Sequence, residues 1–252
     1  MLKIDLTGKT AVVTGASGEL GRVITRTLAE CGANVAIHYL NSEAKAKALQ
    51  AEIRNVKTCL VQADVTKEAE VFRMRDEVVA QLGDPDIIVN NAVIQYQWVS
   101  VLEQGLEDYR SQFESCTLHN VLMTKAFVPG MIRKTWGRVI AINTECAMQC
   151  SPGQSAYAAA KRGMDGVLRV LAREVGEHGI TVNQVAPGWM MSEKYKGESN
   201  LEPRGYTEKI PLRHRGEDQD IANAVAFLAS DLAKFISGMY LSVSGGDVMP
   251  TI

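Results

Sequence analysis

The chain has 252 residues, and its composition, with 46% hydrophobic and 22% charged residues, is typical of a compact globular protein. This balance excludes a disordered chain, a collagen and a coiled coil. The 27 basic residues against 29 acidic residues give a net charge of −2, without any block rich in Lys and Arg. We therefore expect no nucleic-acid partner.

The sequence shows no signal for export or for a membrane. Lys3, Asp5 and Lys9 interrupt the first ten residues, and no run of 18 apolar residues follows. We therefore predict a cytoplasmic protein without a membrane partner. The 5 cysteines include no CxxC pair, which favours reduced thiols and predicts no metal site.

Short β-branched segments alternate along the chain with longer segments of helical periodicity. The candidate strands cover residues 10–14, 34–39, 57–63, 86–90, 138–143, 180–186 and 239–243. Segments such as 20–31, 43–54 and 67–82 are long enough for crossover helices. Because the strands are apolar on both faces, we predict one α/β domain over residues 1–252, a doubly wound seven-stranded parallel sheet with helices on both faces.

The sequence TGASGELG at 14–21 lies between the first strand and the first helix. Glycines at this place allow positive φ and bring backbone N–H groups close to a pyrophosphate, which the positive end of the helix dipole attracts. The position therefore predicts a dinucleotide-binding loop. Asp64 and Asn91 follow the third and fourth strands at the same edge of the sheet, where such sheets bind ligands.

The end of the second strand bears on the choice of dinucleotide. A carboxylate there would accept from a ribose 2′-OH and repel a 2′-phosphate. The sequence instead reads HYLNS at 38–42, with neutral donors and with Lys45 and Lys47 one turn further on. We therefore favour NADP(H), while NAD(H) stays an alternative.

A second group of candidate residues lies around the fifth strand. Tyr157 and Lys161 are four residues apart on a predicted helix, so they share one helical face. An ammonium beside a phenol favours the phenolate and lowers the pKa of the phenol toward neutrality. The pair predicts a proton donor and acceptor.

Several motifs together resemble the short-chain dehydrogenase/reductase family: TGASGELG, Asp64, NNA at 90–92, YAAAK at 157–161, VNQVAPG at 182–188 and the closing SGG. The resemblance implies a Rossmann-type fold, a nicotinamide cofactor and a homotetramer or homodimer. It also implies that Tyr157 is the proton donor and that Lys161 binds the nicotinamide ribose. Thr144 stands where the family usually has Ser, and Cys116 where it has an assisting Asn.

By family position, the predicted catalytic residues are Tyr157, Lys161, Thr144 and Cys116. The predicted cofactor-binding residues are Gly15, Ser17, Gly18, Glu19, Leu20, Gly21, Tyr39, Asn41, Ser42, Asp64, Val65, Asn91, Ala92, Tyr157, Lys161, Pro187, Gly188 and Ser192. The predicted substrate-binding residues are Gln95, Trp98, Glu145, Gln149, Trp189 and Met190. Residues 188–209, polar and without periodicity, predict a substrate lid, with a plain solvated connection as the alternative.

The leading interpretation is an NADP(H)-preferring oxidoreductase that interconverts a small ketone and a secondary alcohol. A sugar or polyol dehydrogenase and a 3-oxoacyl-thioester reductase are both compatible with it. The departures at Cys116, Thr144 and Glu19 leave open a nucleotide-binding protein with little or no turnover.

Overall fold

The computed structural model describes residues 3–192 and 205–250. Within these ranges, strands β1 to β7 form one parallel sheet in the order β3-β2-β1-β4-β5-β6-β7. The strands are β1 Thr10–Val13, β2 Asn34–Tyr39, β3 Thr58–Gln62, β4 Ile87–Asn90, β5 Gly137–Ile142, β6 Ile180–Pro187 and β7 Tyr240–Val243. The predicted doubly wound sheet is confirmed, with strand ends that differ from the prediction by about one residue.

Helices connect successive strands and cover both faces of the sheet. They are α1 Glu19–Glu30, α2 Glu43–Glu52, α3 Glu68–Leu82, α4 Leu106–Gln112, α5 His119–Lys134, α6 Cys146–Gln149, α7 Ser155–Val175, α8 Tyr206–Lys209 and α9 Asp218–Ala229. A π-helical segment, Phe113–Leu118, joins α4 to α5. Among the described residues, no helix combines the length and apolar character needed to cross a bilayer.

Two apolar layers pack against the sheet, one on each face. On one face α1, α2 and α9 bury residues such as Ile24, Leu49 and Val225. On the other face α3, α5 and α7 bury residues such as Met74 and Phe127. Strands β1, β2, β4, β5 and β6 are almost fully buried between these layers, which explains their continuous apolar character, whereas the edge strands β3 and β7 are partly exposed.

The sheet changes direction of winding next to β1. The chain runs from β1 outward to β3 and then returns to β4, on the other side of β1. Loops leaving β1 and β4 therefore diverge, and a crevice opens at the carboxyl edge of the sheet. The candidate residues collect at this crevice.

The predicted lid range 188–209 is described only in part, because residues 193–204 lie outside the described residues. Before this gap, Met191 forms a parallel bridge with Glu217, and after it α8 begins at Tyr206. The described parts therefore contain short ordered elements, while the lid function stays a prediction.

Candidate active site

The loop after β1 turns sharply at Gly15, whose φ of +64° suits glycine. The Gly15 N–H donates to Nδ1 of His38 at 2.8 Å, and His38 Nε2 lies 2.9 Å from the Ala63 carbonyl. A Cβ on Gly21 would lie 2.1 Å from the Gly15 carbonyl oxygen, so α1 packs against the loop only with glycine at position 21. These contacts fix the position of the loop at the N-terminus of α1.

Asn91 links the end of β4 to the loop after β1 by hydrogen bonds. Its Nδ2 donates to the Thr14 carbonyl at 2.9 Å, and its backbone N–H donates to the Thr14 hydroxyl at 2.9 Å. The Ala92 N–H donates to the same hydroxyl at 3.1 Å. These bonds fix the two diverging loops on either side of the crevice.

A cleft of about 680 Å³ follows this edge of the sheet. It is lined by most of the predicted cofactor residues, namely Gly15, Ser17, Gly18, Glu19, Leu20, Gly21, Asn41, Ser42, Asp64, Val65, Asn91, Ala92, Tyr157, Lys161, Pro187 and Gly188. Leu40, Thr66, Ser115 and Asn143 also line it, although motif reasoning did not assign them to the cofactor. We call this the nucleotide cleft.

Two predicted cofactor residues do not line the nucleotide cleft. Tyr39 belongs to the apolar layer under α1 and α2, because side chains alternate along β2 and the side chain of Tyr39 faces away from that of His38. Ser192 is also absent from the cleft wall, and its hydroxyl is buried without a hydrogen-bond partner among the described residues. The prediction for Tyr39 rests on its place at the end of β2 and that for Ser192 on the family resemblance, and neither basis reports where the side chain points.

Glu19 is the first residue of α1 and lines the nucleotide cleft. Its Oε2 forms an ion pair with Arg22 Nη2 at 2.5 Å, one helical turn later. The carboxylate is therefore partly neutralised beside the phosphate loop.

The end of β2 offers neutral groups to the cleft. Asn41 and Ser42 are exposed there, while His38 is 2% exposed and uses both ring nitrogens within the protein. His38 is therefore a support for the loop rather than a phosphate donor. Asp64, which follows β3, also lines the cleft and accepts from the N–H and hydroxyl of Thr66 at 2.9 and 2.7 Å.

Tyr157, Lys161 and Thr144 come together at the inner end of the nucleotide cleft. The Thr144 hydroxyl accepts from the Cys146 N–H at 3.2 Å and lies close enough to the Tyr157 phenol to affect its pKa. Lys161 Nζ lies 5.6 Å from the centre of the Tyr157 ring and donates to the Ile142 carbonyl at 2.5 Å. The structure thus assembles three of the four predicted catalytic side chains.

The pKa of Tyr157 moves in the direction opposite to our prediction. Burial is the largest cause and raises the pKa of this phenol, whereas the nearby Thr144 hydroxyl lowers it less. Burial also lowers the pKa of Lys161. Tyr157 is therefore held as a protonated phenol, the form that can give up a proton.

Below Thr144, a buried chain of amides fixes the end of β5. Asn143 Oδ1 accepts from the Thr144 N–H at 2.9 Å, and Asn143 Nδ2 donates to Gln184 Oε1 at 2.6 Å. Gln184 Nε2 in turn donates to Asp165 at 2.8 Å. These partners are far apart in the sequence, so only the register of β5 and β6 brings them together.

Cys116 is buried in the π-helical segment. It lines neither the nucleotide cleft nor the second cavity, which is described next. Its carbonyl accepts from Asn120 Nδ2 at 2.7 Å, and Asn120 Oδ1 accepts from Asn90 at 2.7 Å. The neighbouring Ser115 lines the nucleotide cleft instead. An amide thus lies one turn after the position where the family has its assisting Asn.

A second cavity, of about 440 Å³, opens beside Tyr157 and Thr144. We call it the substrate cavity. The predicted substrate residues Gln95, Trp98, Glu145, Gln149 and Trp189 line it. Met190 does not, because its side chain packs against Gly216 and the core layer of α1 and α9.

Sequence reasoning missed other residues of the substrate cavity, chiefly Tyr206 and Asp247. Asp247 comes directly after the closing SGG motif, which was the one local signal for it. The Trp98 ring stacks on that of Tyr157 with centroids 6.3 Å apart, and Trp189 meets Tyr206 edge-on at 5.6 Å. The cavity therefore has aromatic walls and several polar groups.

The residues present fit a nicotinamide dinucleotide. Gly15 and Gly21 let the loop pack closely against α1, so that the N-terminus of α1 borders the nucleotide cleft, which suits a pyrophosphate. Lys161 and the buried, unpartnered hydroxyl of Ser115 supply donors deeper in the nucleotide cleft. Among the described residues, no group of three metal-binding side chains comes together.

The parallel sheet and the Tyr157 site define a Rossmann-type, nicotinamide-dependent oxidoreductase. A family model described as enoyl-(acyl carrier protein) reductase matches residues 15–247. The proteins named 3-oxoacyl-(acyl-carrier-protein) reductase FabG from Staphylococcus epidermidis and Escherichia coli are 40% and 38% identical to the chain. These matches cover 96% and 98% of this chain, and 99% and 100% of the relatives. The chain belongs to the short-chain dehydrogenase/reductase family.

Proposed function

We propose that this protein is an NADP(H)-preferring enzyme that reduces a small ketone to a secondary alcohol and catalyses the reverse reaction. The observation that carries the proposal is the position of Tyr157 and Thr144, which line both the nucleotide cleft and the substrate cavity. A carbonyl in the substrate cavity would therefore meet both hydroxyl groups beside the cofactor.

The two hydroxyl groups have different tasks. When bound, the nicotinamide supplies or accepts a hydride. The Thr144 hydroxyl donates a hydrogen bond to the carbonyl oxygen, and the buried amide chain behind it fixes its position. Tyr157 transfers its phenolic proton to the oxygen that becomes the alcohol and takes a proton back in the oxidation direction.

Lys161 supports this transfer by its charge. The raised pKa of Tyr157 keeps the phenol protonated for reduction, and loss of the proton leaves a phenolate in a buried site. The Lys161 ammonium, held by the Ile142 carbonyl, stabilises that phenolate by opposite charge. Cys116 lies behind this pair, and we assign it a packing role.

The preference for NADP(H) is supported by the neutral end of β2. Asn41 and Ser42 line the nucleotide cleft without a carboxylate that would repel a 2′-phosphate. We expect a lower KM for NADPH than for NADH. Ser42→Asp should reverse this order, and a variant that still prefers NADPH would contradict the assignment.

Two further readings have support of their own. The FabG names of relatives at 38–40% identity favour a 3-oxoacyl thioester as substrate. The replacement of the family's Ser and Asn by Thr144 and Cys116 favours a nucleotide-binding protein with little turnover. Both readings share the nucleotide cleft with the leading proposal.

One experiment separates these readings. Purified protein is assayed with NADPH, a panel of small ketones and acetoacetyl-CoA, together with Tyr157→Phe and the control Tyr109→Phe. Tyr109 lies outside both cavities, and its phenol forms a hydrogen bond with the Ser155 hydroxyl at 2.7 Å. We expect ketone turnover that falls at least 100-fold in Tyr157→Phe, with NADPH affinity kept. Tight NADPH binding without turnover on any substrate would refute the enzyme assignment.

We also propose a homo-oligomer, a tetramer or dimer. The outer faces of α5 and α7 form an apolar groove with Val121, Val167 and Val170, and Val170 is 55% exposed. A second copy of the chain would cover this groove. Light scattering coupled to gel filtration would show the mass of a dimer or tetramer, and Val170→Glu should reduce that mass.

A further inference from the structure

The wall of the substrate cavity beside Thr144 is acidic. Glu145 directly follows Thr144, is 4% exposed and has its backbone N–H fixed to the Pro187 carbonyl at 2.9 Å. Its Oε1 accepts from the Tyr206 hydroxyl at 2.8 Å. The carboxyl group is therefore held in place next to the hydroxyl that would meet the substrate carbonyl.

A second carboxyl group lies beside the first. Asp247 lines the same cavity, accepts from Gln149 Nε2 at 2.5 Å and contributes to the raised pKa of Glu145. We call Glu145, Gln149, Tyr206 and Asp247 the acidic wall.

The acidic wall has unused capacity to accept a hydrogen bond. No donor among the described residues reaches Oε2 of Glu145, although this atom is buried. A buried acceptor without a donor is costly, and a ligand that supplies the donor removes that cost. A ligand that places alkyl groups beside Glu145 leaves Oε2 without a donor and keeps water away from it, so that the cost remains.

The substrate cavity also has aromatic walls. Trp98, stacked on Tyr157, and Trp189, packed edge-on against Tyr206, give flat apolar surfaces. The cavity of about 440 Å³ has room for a small molecule with one apolar face and one polar edge. A hydroxylated carbon chain has this character, whereas a long alkyl chain has no polar edge.

We propose that the acidic wall makes this enzyme selective for a ketone that carries a hydroxyl group next to its carbonyl. Glu145 accepts the hydrogen bond from that hydroxyl and is the specificity-determining residue. The inference rests on the proposed ketone reductase function and names its substrate class. It also favours hydroxy ketones over 3-oxoacyl thioesters, whose alkyl substituents would meet the unpaired oxygen.

The test compares two ketones that differ by one group. In 1-hydroxy-2-butanone a hydroxyl replaces one terminal methyl group of 3-pentanone, so size is nearly equal. With NADPH and the wild-type enzyme we expect kcat/KM to be at least tenfold higher for the hydroxy ketone. Glu145→Leu should bring the ratio of the two kcat/KM values close to one, and Glu145→Gln should keep part of the preference.

Control variants separate selectivity from general damage. Glu107→Leu removes an exposed carboxylate outside both cavities and should leave the ratio unchanged. Asp247→Asn keeps the shape of the acidic wall and should reduce the ratio less than Glu145→Leu. If Glu145→Leu fails to fold, the ratios of the wild type, Glu145→Gln and Asp247→Asn test whether the acidic wall sets the preference for the hydroxy ketone.

The outcomes distinguish this inference from the function on which it rests. Turnover of both ketones at equal kcat/KM, lost in Tyr157→Phe, would overturn the hydroxy-ketone inference and leave the ketone reductase assignment standing. A higher kcat/KM for acetoacetyl-CoA that Glu145→Leu does not change would also overturn it. Absence of turnover on every carbonyl compound would overturn both.

Discussion

Acidification tests the role of His38, the buried histidine that holds the phosphate loop. Burial is the main cause that lowers the pKa of His38 from 6.5 to about 4, because the folded protein disfavours the imidazolium. The neighbouring carboxylate of Asp64 and the bond to the Ala63 carbonyl act in the opposite direction. A proton on Nδ1 would also remove the acceptor for the Gly15 N–H.

The sign of the effect follows from proton linkage. The unfolded chain binds a proton at His38 below pH 6.5, whereas the folded protein does so only below about 4. The contribution of neutral His38 to the free energy of unfolding is therefore fully present above pH 6.5 and is lost as the pH decreases toward 4. At about 1.4 kcal/mol per pH unit, His38 alone costs about 2 kcal/mol of unfolding free energy between pH 7 and pH 5.

The assay is urea unfolding at pH 7, 6 and 5, for the wild type and for His38→Asn. Asn keeps an acceptor near the position of Nδ1 and does not titrate, so the contributions of other groups, including the buried His119, cancel in the comparison. We expect the wild type to lose about 2 kcal/mol more than the variant. Parallel pH dependence of the two proteins would refute the assignment of His38 as a neutral loop support.

Three further predictions address other parts of the molecule. Gly21→Ala places a Cβ 2.1 Å from the Gly15 carbonyl and should weaken NADPH binding at least tenfold in a fluorescence titration. Arg138→Met leaves the carbonyls of Gly137 and Gly179 without their buried donor and should lower the unfolding free energy by about 3 kcal/mol, measured in urea. Burial raises the pKa of Glu145 to about 7, so stability is full below pH 4.5 and falls as the pH rises through 7. Glu145→Gln should remove about 2 kcal/mol of that dependence between pH 5 and 7, and an unchanged slope would contradict it.

Local sequence patterns predicted the sheet well. The β-branched segments lie within about one residue of strands β1 to β7, because burial on both faces leaves a continuous apolar signature. The glycines of the loop are also local signals, since Gly15 needs positive φ and Gly21 needs close packing. Such constraints act on neighbouring residues and are visible without a structure.

The missed residues depend on contacts between distant segments. Asp247 lies about one hundred positions after Glu145, so no local pattern could indicate that they line the same cavity. Tyr39 lies in the apolar layer rather than on the cleft wall because side chains alternate along β2, which its place next to His38 does not by itself report. The pKa of Tyr157 depends on the depth of burial, which the spacing to Lys161 does not report.

The π-helical segment Phe113–Leu118 has a consequence for the shape of the substrate cavity. A π turn holds one residue more than an α turn, and one residue of an α-helix corresponds to a rotation of about 100°. Gln112, at the end of α4, lines the cavity and donates to the Ile94 carbonyl at 2.9 Å. Deletion of one residue from the segment would restore regular α-helical register and turn Gln112 off the cavity wall, while α5 stayed packed on the sheet. Variation of chain length by a single residue at this point would therefore remodel the ligand pocket and leave the strands untouched.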